Sequence, residues 1–285
     1  MVKQLVCLFK LRIGIVMMIT ALAAMAVTPG RALTGGEILV LALAVLLSAG
    51  AAGAFNQYYE TDLDERMRRT DDRPFVTGTF HKGPGWLAVI VTLLLAGVGG
   101  AAWILNAPTA VYIFLGAFFY AVVYTVWLKR RTWMNIVIGG ASGSFAVLAG
   151  AASVNPEIGP VALLLALVLF FWTPSHFWSL AIARHDDYVA AGVPMLPVVV
   201  GDRHAAKVVL ANTLALVGIS LLPCFFGMGW IYLAGAVTGG GYFLYRNLQM
   251  VIRPNRKTAM NSFFASLIQL ALLLGGAMLD ASLPA

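Results

Sequence analysis

The chain has 285 residues, 60% of them hydrophobic and only 11% charged. Soluble domains average about 45–50% apolar and about 25% charged residues, so this composition excludes an ordinary soluble globule and points to an integral membrane protein. The formal net charge of +7 implies no nucleic-acid partner, because the basic residues sit in short loops between apolar runs and form no single basic face.

In chain order, apolar segments of spanning length are predicted at Leu11–Val27, Glu37–Phe55, Trp86–Leu105, Thr109–Leu128, Thr132–Ser153, Pro160–Leu180, Ala206–Phe226, Trp230–Tyr245 and Ser262–Leu279. Thr28-Pro29-Gly30, Gly83-Pro84-Gly85, Asn106-Ala107-Pro108, Asn155-Pro156 and Arg253-Pro254-Asn255 punctuate them. Runs of this length without alternation exclude a barrel, leaving a helical bundle as the structure that satisfies every backbone group in lipid. The expectation is an all-α polytopic protein of about nine transmembrane helices, one domain over residues 1–285. The first run lacks a small-residue cleavage site and reads as a span, not as a signal peptide. Cys7 and Cys224 are far apart with apolar neighbours, and read as buried, inert thiols.

Nine spans place every Lys and Arg except Arg31 on the side of the N-terminus. By the positive-inside rule that side is cytoplasmic, with the C-terminus opposite. Acidic residues are not governed by this rule, yet all except Glu37, Glu157 and Asp280 fall on the same side. They form one group after the second span and another after the sixth, where His185, Asp186, Asp187, Tyr188 and Asp202 lie.

The first group, Asn56 to Pro74, reads N-Q-Y-Y-E-T-D-L-D-E-R-M-R-R-T-D-D-R-P. If the second helix continues past the membrane surface, Asn56, Glu60 and Asp64 recur every four residues and share a face, each about 6 Å above the last. An amide oxygen and two carboxylates suit a hard cation such as Mg2+, which completes its shell with phosphate oxygens. Arg66, Arg69 and Arg73 follow with roughly helical spacing, and guanidinium forks match phosphate oxygens. This combination points to a metal–diphosphate site. Asp62 and Glu65 lie off that face and read as solvated partners for nearby arginines, and Asp71 and Asp72 as loop or cap residues.

Elsewhere the residues leave two readings open. Lys129-Arg130-Arg131 is a topology signal or a reach towards the diphosphate. His176, in W-T-P-S-H-F-W, is a core histidine bonded to the carbonyl that Pro174 frees, or a haem or substrate contact. The surrounding Phe170, Phe171, Trp172, Phe177 and Trp178 form an interfacial belt or line a cavity. Gly50, Gly53, Gly139, Gly140, Gly143 and Gly150 permit close helix packing or make room for a ligand.

The pattern N-x-x-x-E-x-x-x-D-x-x-M-x-R-T-x-x-R-P at Asn56–Pro74 resembles the aspartate-rich motif of the UbiA-type intramembrane prenyltransferases. Lys10-x-Arg12, L-K-R-R-T-x-x-N-I-V-I-G-G at Leu128–Gly140, F-W-T-P-S-H-F-W-S-L-A-I at Phe171–Ile182 and D-Y-x-x-A-G-V-P-M-L-P-V-V at Asp187–Val199 extend the likeness to the branch that farnesylates protohaem. The resemblance implies transfer of farnesyl from farnesyl diphosphate to a vinyl group of protohaem IX, with water addition. It implies a bundle whose active site opens near the cytoplasmic side. It assigns Mg2+ to Asn56, Glu60 and Asp64, and the diphosphate to Arg69, Arg73, Lys129 and Arg130 with Lys10 and Arg12 nearby. The haem acceptor falls to His176, Asp187 and Tyr188. Farnesyl diphosphate, haem, the lipid bilayer and a downstream haem-modifying enzyme are the implied partners, in a bacterial inner membrane.

Glu60 stands where most of that family has Asp. Arg184 and Tyr188 occupy positions that carry carboxylates in the wider superfamily's second motif. The Pro-Pro usual after the fifth span's glycines is missing from Gly143–Gly150, and Ser175 replaces a common second Pro. These departures leave room for another acceptor, such as a quinone precursor or modified tetrapyrrole. A cation-coupled transporter is the reading from a different class, but its carboxylates belong near the bilayer midplane.

Overall fold

The computed structural model describes residues 1–283 and is helical, with no β-strand among them. Helix α1 (Val2–Leu8) lies at a 55° bend to α2 (Leu11–Val27). There follow α3 (Gly35–Tyr59), α4 (Thr61–Asp64), α5 (Pro84–Ile104) and α6 (Ala107–Phe118), the last continuing as a π-helix over Phe119–Leu128. A short α7 (Asn135–Gly139) leads into α8 (Ala141–Val154), and α9 (Pro160–Ala183) is followed by the short α10 (His185–Ala190) and α11 (Leu196–Val200). Helices α12 (Asp202–Leu221), α13 (Trp230–Ile252) and α14 (Arg256–Ser282) complete the bundle.

The punctuation read from the sequence marks helix starts. Asn106 caps α6 by accepting from Thr109 N at 2.9 Å, and Asn255 caps α14 through Thr258 N at 3.0 Å. Pro84 and Pro160 open α5 and α9, where the missing N–H costs nothing. A 25-residue helix such as α3 rises about 38 Å, more than a hydrocarbon core of about 30 Å.

Among the described residues seven helices are long and apolar enough to cross a membrane, and the bent α1–α2 pair, counted as one span, makes eight. This trims the expected nine. The remaining segment, α13, is helical over 23 residues, but Arg246, Asn247 and Gln249 near its end dilute its apolarity. It still runs the length of α14: Asp280, late in α14, accepts from Gly229 N at 2.6 Å and Ile231 N at 3.2 Å, at the start of α13. The carboxylate thus sits on the positive end of that helix.

Helix α2 packs on α3, α8 and α14, and α9 on α8, α12 and α14, so the helices close into one bundle. Small residues permit the close approaches. A Cβ at Gly150 of α8 would collide with the carbonyl of Ala21 in α2. Neither cysteine is deeply buried: Cys7 is exposed and Cys224 half-buried, against the expectation for both. Cys7 lies on the short bent α1, which leaves its outward side uncovered.

We expect Gly150→Val to force α2 and α8 apart and to lower stability by about 2 kcal/mol or more. Thermal unfolding in detergent measures this, with Gly99→Val, at an open position, as the harmless control.

Candidate active site

The site is built where α3 ends. Glu60 leaves helical geometry (φ −96°, ψ 20°), and α4 restarts at Thr61. The expected unbroken helix through Asn56, Glu60 and Asp64 is therefore interrupted at its middle member. The four-residue register survives, because Glu60 N donates to Asn56 O at 3.0 Å and Asp64 N to Glu60 O at 2.9 Å. All three side chains are buried, Glu60 completely.

Each meets a nitrogen from a different element. Lys10 Nζ donates to Asn56 Oδ1 at 2.5 Å and to Tyr120 Oη at 2.8 Å. Lys129 Nζ pairs with Glu60 Oε2, and Arg73 Nη1 with Asp64 Oδ2 at 2.6 Å. Lys10, at the α1–α2 bend, is the one non-glycine residue with positive φ (46°) among those described. That conformation costs roughly 1–2 kcal/mol and sends its side chain inward. Gly53 makes room for the stem: a Cβ there would stand 3.2 Å from Lys10 Cβ.

The π-helix brings in the second lysine. Lys129 N bonds to Tyr124 O five residues back, and the wider turn swings Lys129 to the face that carries Tyr120, Tyr124 and Thr125. Lys129 Nζ lies 5.7 Å from the centre of the Tyr124 ring. Of the two readings its sequence context left open, a topology signal and a reach towards the diphosphate, the first does not account for its ammonium, which is buried against Glu60.

Residues 65 to 80 form turns, so Arg66, Arg69 and Arg73 do not share a helical face. Arg73 turns inward, whereas Arg66 and Arg69 are exposed. Arg12 is exposed. Arg130 is held outside the pocket by a two-pronged bond to Asp62, 2.8 Å on each prong, with the guanidinium 5.7 Å from the Tyr59 ring centre. Arg130 holds the Asp62 carboxyl below the usual carboxylate range, and Asp62 raises Arg130 in return. Asp71 and Asp72 are exposed turn residues.

The second polar group reaches the same place. Asp187 and Tyr188 on α10 are buried, and Leu63 and Met67 pack with Trp178, Ile182 and Tyr188 in one apolar cluster. Tyr124 packs against the same cluster, which joins the two groups. Arg184 Nη1 stands 4.0 Å from Asp187 Oδ2.

His176 lies buried between Trp172 and Phe263, with ring centres 4.3 Å away on each side. Its partner is not the backbone carbonyl expected from Pro174 but Ser266 Oγ on α14, 2.6 Å from Nδ1. Ser266 donates its only proton to Phe263 O at 2.6 Å. The hydroxyl therefore accepts from His176, which places the imidazole proton on Nδ1 and the lone pair on Nε2. Ser175 joins a buried network instead: it accepts from Asn212 Nδ2 at 2.7 Å and Thr213 Oγ1 at 2.8 Å.

The donor set suits a hard cation. Glu60 Oε1 is buried without a hydrogen-bond partner, beside an amide oxygen and a second carboxylate. Among the described residues no cluster of three or more His, Cys, Asp or Glu is placed to hold a metal ion, so a cation here would need the amide oxygen of Asn56 as well.

Several contributors carried no sequence signal that was read. Tyr120, Tyr124 and Thr125 sit in an apolar span, and only a π-turn brings them onto one face with Lys129. Thr125 Oγ1 donates to Tyr120 O at 2.9 Å and so accepts from Asn56 Nδ2 at 2.9 Å. That leaves the amide one orientation, with Oδ1 towards Lys10.

A helical bundle with buried carboxylates, an amide oxygen and three inward cations gathered at one end defines a membrane protein equipped to hold a metal and a phosphorylated ligand together. Residues 17–268 match the model of the UbiA prenyltransferase family, and the chain belongs to that family. It is 57% identical over 278 residues to Protoheme IX farnesyltransferase 2 of Paramagnetospirillum magneticum, covering 98% of this chain and 96% of that one. It is 46% identical to Protoheme IX farnesyltransferase 1 of the same organism, covering 95% of each. Its fold matches a UbiA homologue from Archaeoglobus fulgidus bound to DMAPP and Mg2+, with a TM-score of 0.72 at 12% identity over 95% of this chain and 99% of that one.

We expect Thr125→Val to release the Asn56 amide and strand its N–H, a cost of about 1–3 kcal/mol, seen as a roughly tenfold or larger fall in kcat/KM and a higher metal requirement. Thr125→Ser, which keeps the hydroxyl, stays near wild type in the same steady-state assay.

Proposed function

We propose that the chain transfers the farnesyl group of farnesyl diphosphate to a vinyl group of protohaem IX, with addition of water, to give haem O and diphosphate. The observation that carries this reading is the pocket in which Asn56, Glu60 and Asp64 face Lys10, Lys129 and Arg73. The identity to protohaem farnesyltransferases supports the choice of acceptor.

Breaking the bond between farnesyl C1 and oxygen leaves its electron pair on the diphosphate. Lys129, Arg73 and Lys10 are placed to neutralise that charge, in a pocket where the low dielectric strengthens each contact. Asn56, Glu60 and Asp64 would hold Mg2+, which when bound supplies further positive charge to the leaving group. The vinyl terminus forms the new bond to farnesyl C1, and water adds to the adjacent carbon and loses a proton, so the atoms balance. The apolar walls of the bundle keep water from the allylic cation before the acceptor reaches it.

On the acceptor side, His176 offers a neutral Nε2 lone pair to the iron of the tetrapyrrole, with Trp172 and Phe263 holding the ring. Asp187 and Tyr188 border the same substrate. The positive-inside bias supports a cytoplasmic N-terminus in a bacterial inner membrane, with the site opening on that side. A downstream haem-modifying enzyme would receive the product.

Purified protein in detergent, given protohaem IX, farnesyl diphosphate and Mg2+, is expected to yield a haem heavier by farnesyl plus water. Asp64→Asn and omission of Mg2+ should abolish it. Diphosphate release without haem conversion would exclude protohaem and favour another acceptor, whereas no release from folded protein would end the transferase reading.

We also expect Ser266→Ala to weaken haem binding by about 5-fold or more, since loss of the acceptor at Nδ1 unsettles the imidazole tautomer. Visible difference spectra of bound ferric haem report this, and Ser266→Thr should restore the wild-type spectrum. Equal weakening with metal-free protoporphyrin would assign His176 to packing alone.

A further inference from the structure

Each cation of the site has one oxygen partner among the three side chains of the motif, two of them carboxylates and one an amide. Lys129 takes Glu60, Arg73 takes Asp64, and Lys10 takes the oxygen of Asn56. These are the same carboxylates and amide that a metal ion would need, with Glu60 Oε1 left free beside the paired Oε2, and the same nitrogens that a diphosphate would need. Resting on the reading of the site as one for a metal diphosphate, we propose that Lys129 and Arg73 are exchangeable counter-ions. They compete with the metal for Glu60 and Asp64, and they change partner to the diphosphate when both arrive.

Charge sets the consequence. Three cations against two carboxylates leave the pocket with one net positive charge. A divalent metal alone raises that to three positive charges in a buried site, and it meets carboxylates already engaged. A diphosphate ester alone, at about −3, pulls the cations away and leaves Glu60 and Asp64 buried and unpaired, which is strongly unfavourable. With both ligands present the charges sum to about zero, the carboxylates hold the metal, and the cations hold the phosphate oxygens. Each ligand therefore lowers the cost of the other, and the site takes a metal–diphosphate complex in preference to either component.

The exchange makes two mirror-image predictions that simple additive contacts do not. Removing a cation, as in Lys129→Met, frees Glu60 and should tighten binding of the metal alone by about 5- to 30-fold, while weakening diphosphate. Removing a carboxylate charge, as in Glu60→Gln, frees Lys129 and should tighten binding of diphosphate alone by a similar factor, while weakening metal. Arg73→Gln and Asp64→Asn form an independent second pair, should burial of an unpaired group at the first destabilise the fold.

The measurements are Mn2+ binding by electron paramagnetic resonance without diphosphate, and inorganic pyrophosphate binding by calorimetry in chelator, both on full-length protein in detergent. In wild type, pyrophosphate should tighten Mn2+ by about 10- to 100-fold, and each variant should show its cross gain. Joint binding in wild type with no cross gain in either pair would overturn the exchange and leave the site reading intact. Failure of folded wild type to bind Mn2+ and pyrophosphate even together would overturn both.

Discussion

Two carboxylates buried at the edge of a membrane bundle are the constraint on which the rest of this structure depends. Glu60 is fully enclosed and Asp64 nearly so, and an ionised carboxylate in such surroundings is stable only beside a partner of opposite charge. The partners come from far along the chain: Lys129 from the end of the fourth span, Arg73 from a turn nine residues past Asp64. Each requires a local departure from regular structure. Helix α3 breaks at Glu60, the span ending at Leu128 widens into a π-helix, and Lys10 adopts a left-handed backbone opposite Gly53. Irregularities that would weaken a purely structural bundle are gathered where the charges meet.

The same constraint explains why two distant polar groups converge. The turn after α4 cannot be anchored by ionic contacts alone, since Arg66, Arg68 and Arg69 face outward. It is anchored by Leu63 and Met67, which pack into the apolar cluster of α9, α10 and α11. The first cluster is thus held down by the second one's hydrophobic floor. Tyr188 packs with Leu63 and Met67, and Asp187 is buried beside it, without an ion pair between the two groups.

Much of this was legible in the sequence because membrane spans and their charge bias follow from composition over long windows. The spans, the helix starts at Asn106, Pro160 and Asn255, and the four-residue register of Asn56, Glu60 and Asp64 all depend on local chemistry. What was not legible depends on partners. No spacing rule says that Lys129 enters the pocket while its neighbour Arg130 stays outside on Asp62, because that choice belongs to the π-turn. Nor does helical spacing tell Arg66, Arg69 and Arg73 apart, because their segment forms turns. The carbonyl freed by Pro174 is not the partner of His176 for a similar reason: Ser266 lies ninety residues away in sequence. The less apolar α13 marks the limit of hydropathy, since its place is secured by α14 and Asp280 and not by its own composition.

The two halves of the pocket solve opposite problems. The half around Glu60 and Asp64 contains formal charges, so its stability depends on pairing. The half around His176 contains no buried ion pair. There Ser175, Ser179, Thr213, Asn247 and Ser262 join α9, α12, α13 and α14 through neutral hydrogen bonds, each hydroxyl or amide satisfied by another helix. Neutral networks of this kind are stable in an apolar bundle without a charged ligand and hold side chains in one arrangement. Ser175 in place of a proline fits this division: a proline would supply neither the acceptor for Asn212 and Thr213 nor the tie to α12. The wall around His176 is therefore held by side-chain hydrogen bonds between helices, which a proline at this point could not supply.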